Sequence, residues 1–170
     1  MISILGKVFN LSLLYAAFRS ATPIIFAALC ASVTQQANIL NIGTEGIMLT
    51  GAFTAVTVSY FTQSWIIGVL CAMLVGVLIA MIMAVGSIKF GADICGIGMG
   101  INMLALAITK FLLKAIFDLN GAFAGTLERP IVPIPKVHFG FMDNIPFLDT
   151  LLNNWSLTEW FVIVLIIVLQ

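Results

Sequence analysis

The residues of this chain best suited to chemistry lie in one stretch, Asn38 to Phe53 (NILNIGTEGIMLTGAF), where a single carboxylate stands among amides, hydroxyls and glycines. Asn41 and Glu45 supply polar side chains and one negative charge, and Gly43 and Gly46 flank that charge. Glycine lets the backbone turn sharply or approach a neighbour closely. The chemistry such a set supports is polar recognition along a pathway. A charge beside membrane-spanning sequence is costly unless it faces protein or water, so it marks a functional position. A plainer reading stands beside this one: Thr44 or Asn41 caps a helix, and Glu45 occupies its first turn against the helix dipole. Asn102, polar within a second apolar stretch, either hydrogen-bonds between helices or lines the same pathway.

No catalytic constellation accompanies these residues. The chain has no GxSxG, no HExxH and no phosphate-binding glycine loop, and its seven acidic residues are scattered. Gly96, Gly98 and Gly100 lack the spacing and the preceding strand of a dinucleotide site, so helix packing explains them better. Cys30, Cys71 and Cys95 have no ligand-type neighbours and read as small buried hydrophobes, with no metal, disulfide or cofactor expected. His138, the sole histidine, reads as a surface residue.

The elements that must carry these residues are helices in a bilayer. Hydrophobic residues make up 62% of the chain and charged ones 8%, against roughly a quarter charged in soluble domains. Mean hydropathy is +1.19. The fold class predicted is all-α, a polytopic helical membrane protein. Its 170 residues allow about five to six spans at about 20 residues each, one of them short or broken and the last truncated. A formal charge of zero gives no reason to expect a nucleic-acid partner.

Four segments follow along the chain. Residues 1–20 form an N-terminal amphipathic or first membrane helix, with Ser3, Lys7 and Asn10 on one face, and two placements are open: in the interface, or across the membrane. No cleavable signal is expected there. Residues 21–117 form the transmembrane core. Pro23 predicts a break after Arg19, and Ile24 to Val33 spans only about half a bilayer before Gln35, Gln36 and Asn38, so this segment is predicted to be short, tilted or broken. Residues 118–156 form an extramembrane loop or cap holding four of the five prolines, and residues 157–170 begin a further span bracketed by Trp155 and Trp160.

Small residues recur at every fourth position in three of the core helices. Gly51 and Ala55 form one stripe, and Gly68, Ala72, Gly76 and Ala80 another within the charge-free run Trp65 to Val85. Gly96 and Gly100 repeat the spacing. Such stripes let two backbones approach closely in lipid. They predict packed faces, and an enlargement at Gly76 is expected to force helices apart.

Read in order, RSATPIIFAAL, NILNIGTEGIMLTGAF and KFGADICGIGMGINMLALAITKFLLKAIF resemble the permease subunits of bacterial ABC importers for nucleosides and simple sugars. The likeness covers nearly the whole chain. It departs at Ser32-Val33-Thr34-Gln35-Gln36, where the family more often has a small or glycine-rich stretch with Ser-Glu-Arg. A second departure is Asp93-Ile94-Cys95, where a valine-serine pair is usual. Both bear on the substrate more than on the family. Permeases for branched-chain amino acids share the architecture with a differently worded central motif, and they remain an alternative.

The resemblance implies the N-terminal half of a permease in the bacterial cytoplasmic (inner) membrane, about half the family's length. The implied partners are a second permease subunit, cytoplasmic ATPase subunits and an extracytoplasmic substrate-binding protein, with the lipid bilayer around them. The mechanism expected is alternating access along a pathway that includes Asn41, Gly43, Glu45, Gly46 and Asn102. A non-transporting scaffold assembling through the small-residue stripes is the reading from another class. Orientation poses a conflict. Lys110, Lys114, Arg129 and Lys136 outnumber Lys89, which would place the 118–156 loop in the cytoplasm. The resemblance places it outside, and Lys110 and Lys114 can snorkel at a helix end.

Overall fold

The computed structural model describes residues 11–118, 121, 123, 131–135 and 155–169. Among these, all regular structure is helical, as the composition predicts. The helices are α1 (Leu11–Gln36), α2 (Thr44–Thr62), α3 (Trp65–Ile88), α4 (Ile94–Phe117) and α5 (Leu157–Leu169). Two of them, α3 and α4, are long and apolar enough to cross a membrane, while the apolar part of α5 is shorter. Residues 1–10 and most of the predicted cap, with His138, lie outside the described residues.

The chain divides into two compact units, Met1–Leu29 with Ile134–Gln170, and Cys30–Pro133. The helix α1 passes from the first into the second. It runs straight through Arg19–Pro23, where the sequence predicts a break, and holds Pro23 inside it. Proline removes the amide that would bond to the carbonyl four residues back. Membrane helices tolerate this where neighbouring groups satisfy the freed carbonyl.

In the first unit, α5 opens on one half of a capping box, in which Glu159 reaches back to the Ser156 amide. The Ser156 amide donates to Glu159 Oε2, and the Ser156 and Thr158 hydroxyls lie 2.7 Å apart. The sequence Ser156-Leu157-Thr158-Glu159 is the capping-box pattern before an apolar run, and it explains why Glu159 is buried, at 7% exposure. Trp155 packs against Trp160 with ring centroids 5.8 Å apart, and Phe26 stacks on Phe161 at 6.3 Å.

In the second unit α2, α3 and α4 pack on one another, with α2 most extensively on α3. The hairpin between α2 and α3 is tight because Gln63 adopts the left-handed region (φ 51°), its amide donating to Ser59 O at 2.9 Å. Close approach is concentrated at Gly68. A Cβ there would lie 2.8 Å from Ala55 O and 3.3 Å from Ser59 Cβ, so the absent side chain is what brings α3 onto α2. The Ser59 hydroxyl is buried and donates to Val132 O at 3.5 Å. At the same end Tyr60 meets Phe117 and Phe123 edge-on, and these two stack at 3.9 Å. The outer face of α3 is left bare, with Met73, Leu74, Val77, Leu78, Met81 and Ile82 all exposed. A helix apolar on every side is one that lipid can surround.

Candidate functional site

The polar stretch singled out by sequence is the joint between α1 and α2. Asn38 takes a left-handed conformation (φ 56°), its amide donating to Gln35 O at 2.9 Å, while the Ile39 amide reaches Thr34 O at 3.0 Å. This pair of bonds is a Schellman cap, and it ends α1 by satisfying carbonyls that the helix leaves open. The polar residues after Val33 are therefore a helix terminus.

At the start of α2 neither expected side chain caps. Gly43 is the N-cap residue and has no side chain to offer. Thr44 instead donates its hydroxyl to Asn41 O at 3.1 Å, closing the turn. The amide that a cap would serve is bonded across the unit. Gly46 N donates to Asn102 Oδ1 at 2.7 Å, and Asn102 Nδ2 donates to Ile42 O at 2.9 Å. Asn102 thus makes hydrogen bonds between helices, one of the two readings that its sequence leaves open.

Three glycines make this contact close. A Cβ on Gly46 would fall 2.8 Å from Asn102 Oδ1 and 3.0 Å from Asn102 Cα. On Gly98 it would fall 2.8 Å from Gly43 N, backbone against backbone. On Gly43 it would meet Met83 Sδ at 2.9 Å. The sequence marks Gly98 only as one of three packing glycines and does not single out Met83, although a signal for Gly98 existed: Gly98, Asn102, Ala105 and Thr109 follow i, i+4, i+7, i+11 and share one face of α4. That face is its inner one, with Gly98, Ala105 and Thr109 buried.

Beside the contact lies a cleft of about 180 Å³ lined by Glu45, Gly46, Leu49, Asn102, Met103 and Leu106. Glu45 is exposed on its wall. The structure therefore brings Glu45, Gly46 and Asn102 together. Asn41 and Gly43 sit behind them in the turn, and Asn41 Oδ1 is buried without a hydrogen-bond partner. The small-residue positions separate into two groups. Gly68 and Ala55 touch, and a Cβ on Gly76 would meet only Ile47 Cγ2 at an ordinary 3.7 Å. Gly51 and Gly100 have no side-chain or backbone neighbour in reach, and Gly96 lies in the first turn of α4, its amide donating to the Asp93 carboxylate at 2.9 Å. Ala72 is half-buried and Ala80 exposed.

Apolar helices of bilayer length, joined at a polar, glycine-lined helix terminus, define a helical membrane protein. The chain belongs to the family described as branched-chain amino acid transport system / permease component, whose pattern matches residues 13–170. It is 30% identical to the guanosine ABC transporter permease protein NupQ of Bacillus subtilis (strain 168), over 96% of this chain and 53% of that protein. It is also 30% identical to the nucleoside ABC transporter permease protein NupC of Lactococcus lactis subsp. cremoris (strain MG1363), over 58% of this chain and 33% of that protein. The chain thus spans about half the length, or less, of the curated relatives it matches. No solved structure matches it significantly.

Proposed function

We propose that this chain forms part of the transmembrane permease subunit of an ATP-driven nucleoside importer in the bacterial cytoplasmic membrane. The observation that carries this reading is the 30% identity to two nucleoside permeases, one of them matched along 96% of the chain. A simple-sugar substrate rests only on the motif resemblance, and a branched-chain amino acid only on the family's description.

In this reading the chain binds no cofactor and hydrolyses nothing. A second permease subunit completes the pathway, separate cytoplasmic ATPase subunits supply the energy, and an extracytoplasmic binding protein delivers substrate. Transport proceeds by alternating access, with ATP binding elsewhere biasing two packings of the helices. Glu45 on the cleft wall and the Asn41–Gly46 turn contribute to the pathway. The Glu45 carboxylate suits ribose hydroxyls and base N–H groups, which donate hydrogen bonds.

The test is uptake by the complete importer in cells lacking their own nucleoside transporters. Labelled guanosine or another purine nucleoside should accumulate, while labelled leucine should not. Accumulation of leucine alone would replace the substrate class. Normal assembly with no uptake of either would favour the scaffold reading.

A further inference from the structure

We infer that Asn102 is a positioning residue that caps α2 in trans and makes the Glu45-bearing end of α2 and the N-terminal half of α4 a single moving body. This inference rests on the transport reading for its functional consequence, but its structural half stands alone. An N-cap side chain normally accepts a hydrogen bond from the amide two or three residues into its own helix. In α2 the N-cap is Gly43, and the third amide, Gly46 N, is served by Asn102 Oδ1 at 2.7 Å from a residue 56 positions away.

The substitution of cap by neighbour has a steric reason. Gly43 lies against Gly98 and Met83 so closely that a Cβ would meet Met83 Sδ at 2.9 Å and Gly98 Cα at 3.4 Å. A side chain able to cap α2 from within would have to displace the Met83 thioether of α3, and its Cβ would already stand in contact with Gly98 of α4. The close approach and the missing cap are thus one feature, and the carboxamide of Asn102 resolves it. Its oxygen takes the Gly46 amide, and its nitrogen holds the Ile42 carbonyl at 2.9 Å on the other side of the turn. Among the uncharged side chains, only an amide of this length offers an acceptor and a donor side by side. Losing such a partner leaves a part-buried donor and a part-buried acceptor without their protein bonds.

Two backbone segments held by two hydrogen bonds and by the Gly43–Gly98 and Gly46–Asn102 contacts move together. During alternating access, the slip should occur elsewhere, and the 46–102 contact should persist in both states. Asn102 then acts on transport through the turn, without touching substrate.

The test uses the full-length permease assembled with its partners in lipid, with variants Asn102→Leu and Asn102→Asp. Leucine keeps the bulk and loses both bonds. Aspartate keeps both only when protonated, since a carboxylic acid has one donor and one acceptor, whereas its anion opposes the Ile42 carbonyl. Amide hydrogen exchange over residues 41–49, read without substrate, should speed up in the leucine variant by about fivefold, the size expected for a lost cap of about 1 kcal/mol. Maximal uptake should fall while KM stays within about twofold, as for an interaction that does not bind the ground state. For the aspartate variant, uptake relative to the parent should rise as pH falls. Glu45 is the one titratable group among the residues lining the cleft, so the same ratio is also read in a Glu45→Gln background, where only the carboxyl at 102 remains there.

Unchanged exchange in the leucine variant would overturn the cap. A raised KM with unchanged maximal uptake would make Asn102 a substrate contact instead, and a pH-independent ratio for the aspartate variant would remove the paired donor and acceptor. If the leucine variant does not insert, the aspartate pH profile decides. Absence of nucleoside uptake in the parent would count against the transport reading and leave the exchange result standing.

Discussion

Glu45 and Gly46 are adjacent in sequence and respond to different physics. Glu45 is exposed on the cleft wall and makes no ion pair among the described residues, so its replacement should disturb packing little. Glu45→Gln is expected to insert and assemble normally and to lower nucleoside uptake about tenfold or more, the loss expected when one charged hydrogen bond of about 1.5–3 kcal/mol is weakened. Uptake at the parent's level by a well-inserted variant would take Glu45 out of the mechanism. Gly46→Ala should act through structure. Its Cβ would overlap Asn102 Oδ1 and stand 3.1 Å from Ile101 O, a backbone atom that cannot swing aside. A loss of about 1–3 kcal/mol is expected, in line with other overpacked contacts. The measurement is the thermal midpoint of the assembled complex, and an unchanged midpoint would mean that α2 and α4 stand further apart than described.

At the scale of elements, the small-residue stripe on α3 is uneven. Every fourth position is small from Gly68 to Ala80, yet of its two glycines only Gly68 makes a close approach to α2. Helices cross at an angle, so a stripe several turns long meets its neighbour at one place. Gly68→Ala should therefore weaken assembly by an overpacking cost of about 1–3 kcal/mol. Gly76→Ala should be neutral or better, because alanine is favoured over glycine by about 1 kcal/mol within a helix and meets only Ile47 Cγ2 at 3.7 Å. Comparing expression and detergent stability of the two variants checks this. Equal losses would show that another subunit covers the Gly76 face.

The whole molecule raises the question of sides. In the unit Cys30–Pro133, α2 and α4 run parallel, since Gly43 and Gly46 meet Gly98 and Asn102 while Tyr60 meets Phe117. Glu45 therefore shares an end with the Lys89–Asp93 connection, and Gln63 shares the other end with Asp118. Glu45 thus lies towards the side opposite Asp118, where α4 ends. We expect the loop outside, which puts Glu45 in the cytoplasmic half. Single cysteines at Gln63 and Asn144, in a full-length background lacking native cysteines, should react with a membrane-impermeant thiol reagent in intact cells. A cysteine at Phe90 should react only after permeabilisation. The reverse pattern would turn the orientation over and remove the loop as the face that meets a binding protein.

Composition alone determined that this is a helical membrane protein, because a chain with 8% charged residues and long apolar runs has few other ways to satisfy its backbone. The motif around Glu45 likewise points to the permease family, since residue types at fixed spacing are legible in the sequence itself. Local signals were also present for the cap at Ser156–Glu159 and for Asn38 as a helix end, as both depend on neighbours within five residues. The meaning of Asn102 was different in kind. Its partners, Ile42 and Gly46, lie 60 and 56 positions away, and no periodicity along α4 names the turn it would meet. The same holds for choosing Gly68 and Gly98 over Gly51, Gly76 and Gly100. A helical repeat marks which residues share a face, but the crossing of two helices selects which of them touch, and that depends on all the side chains between them.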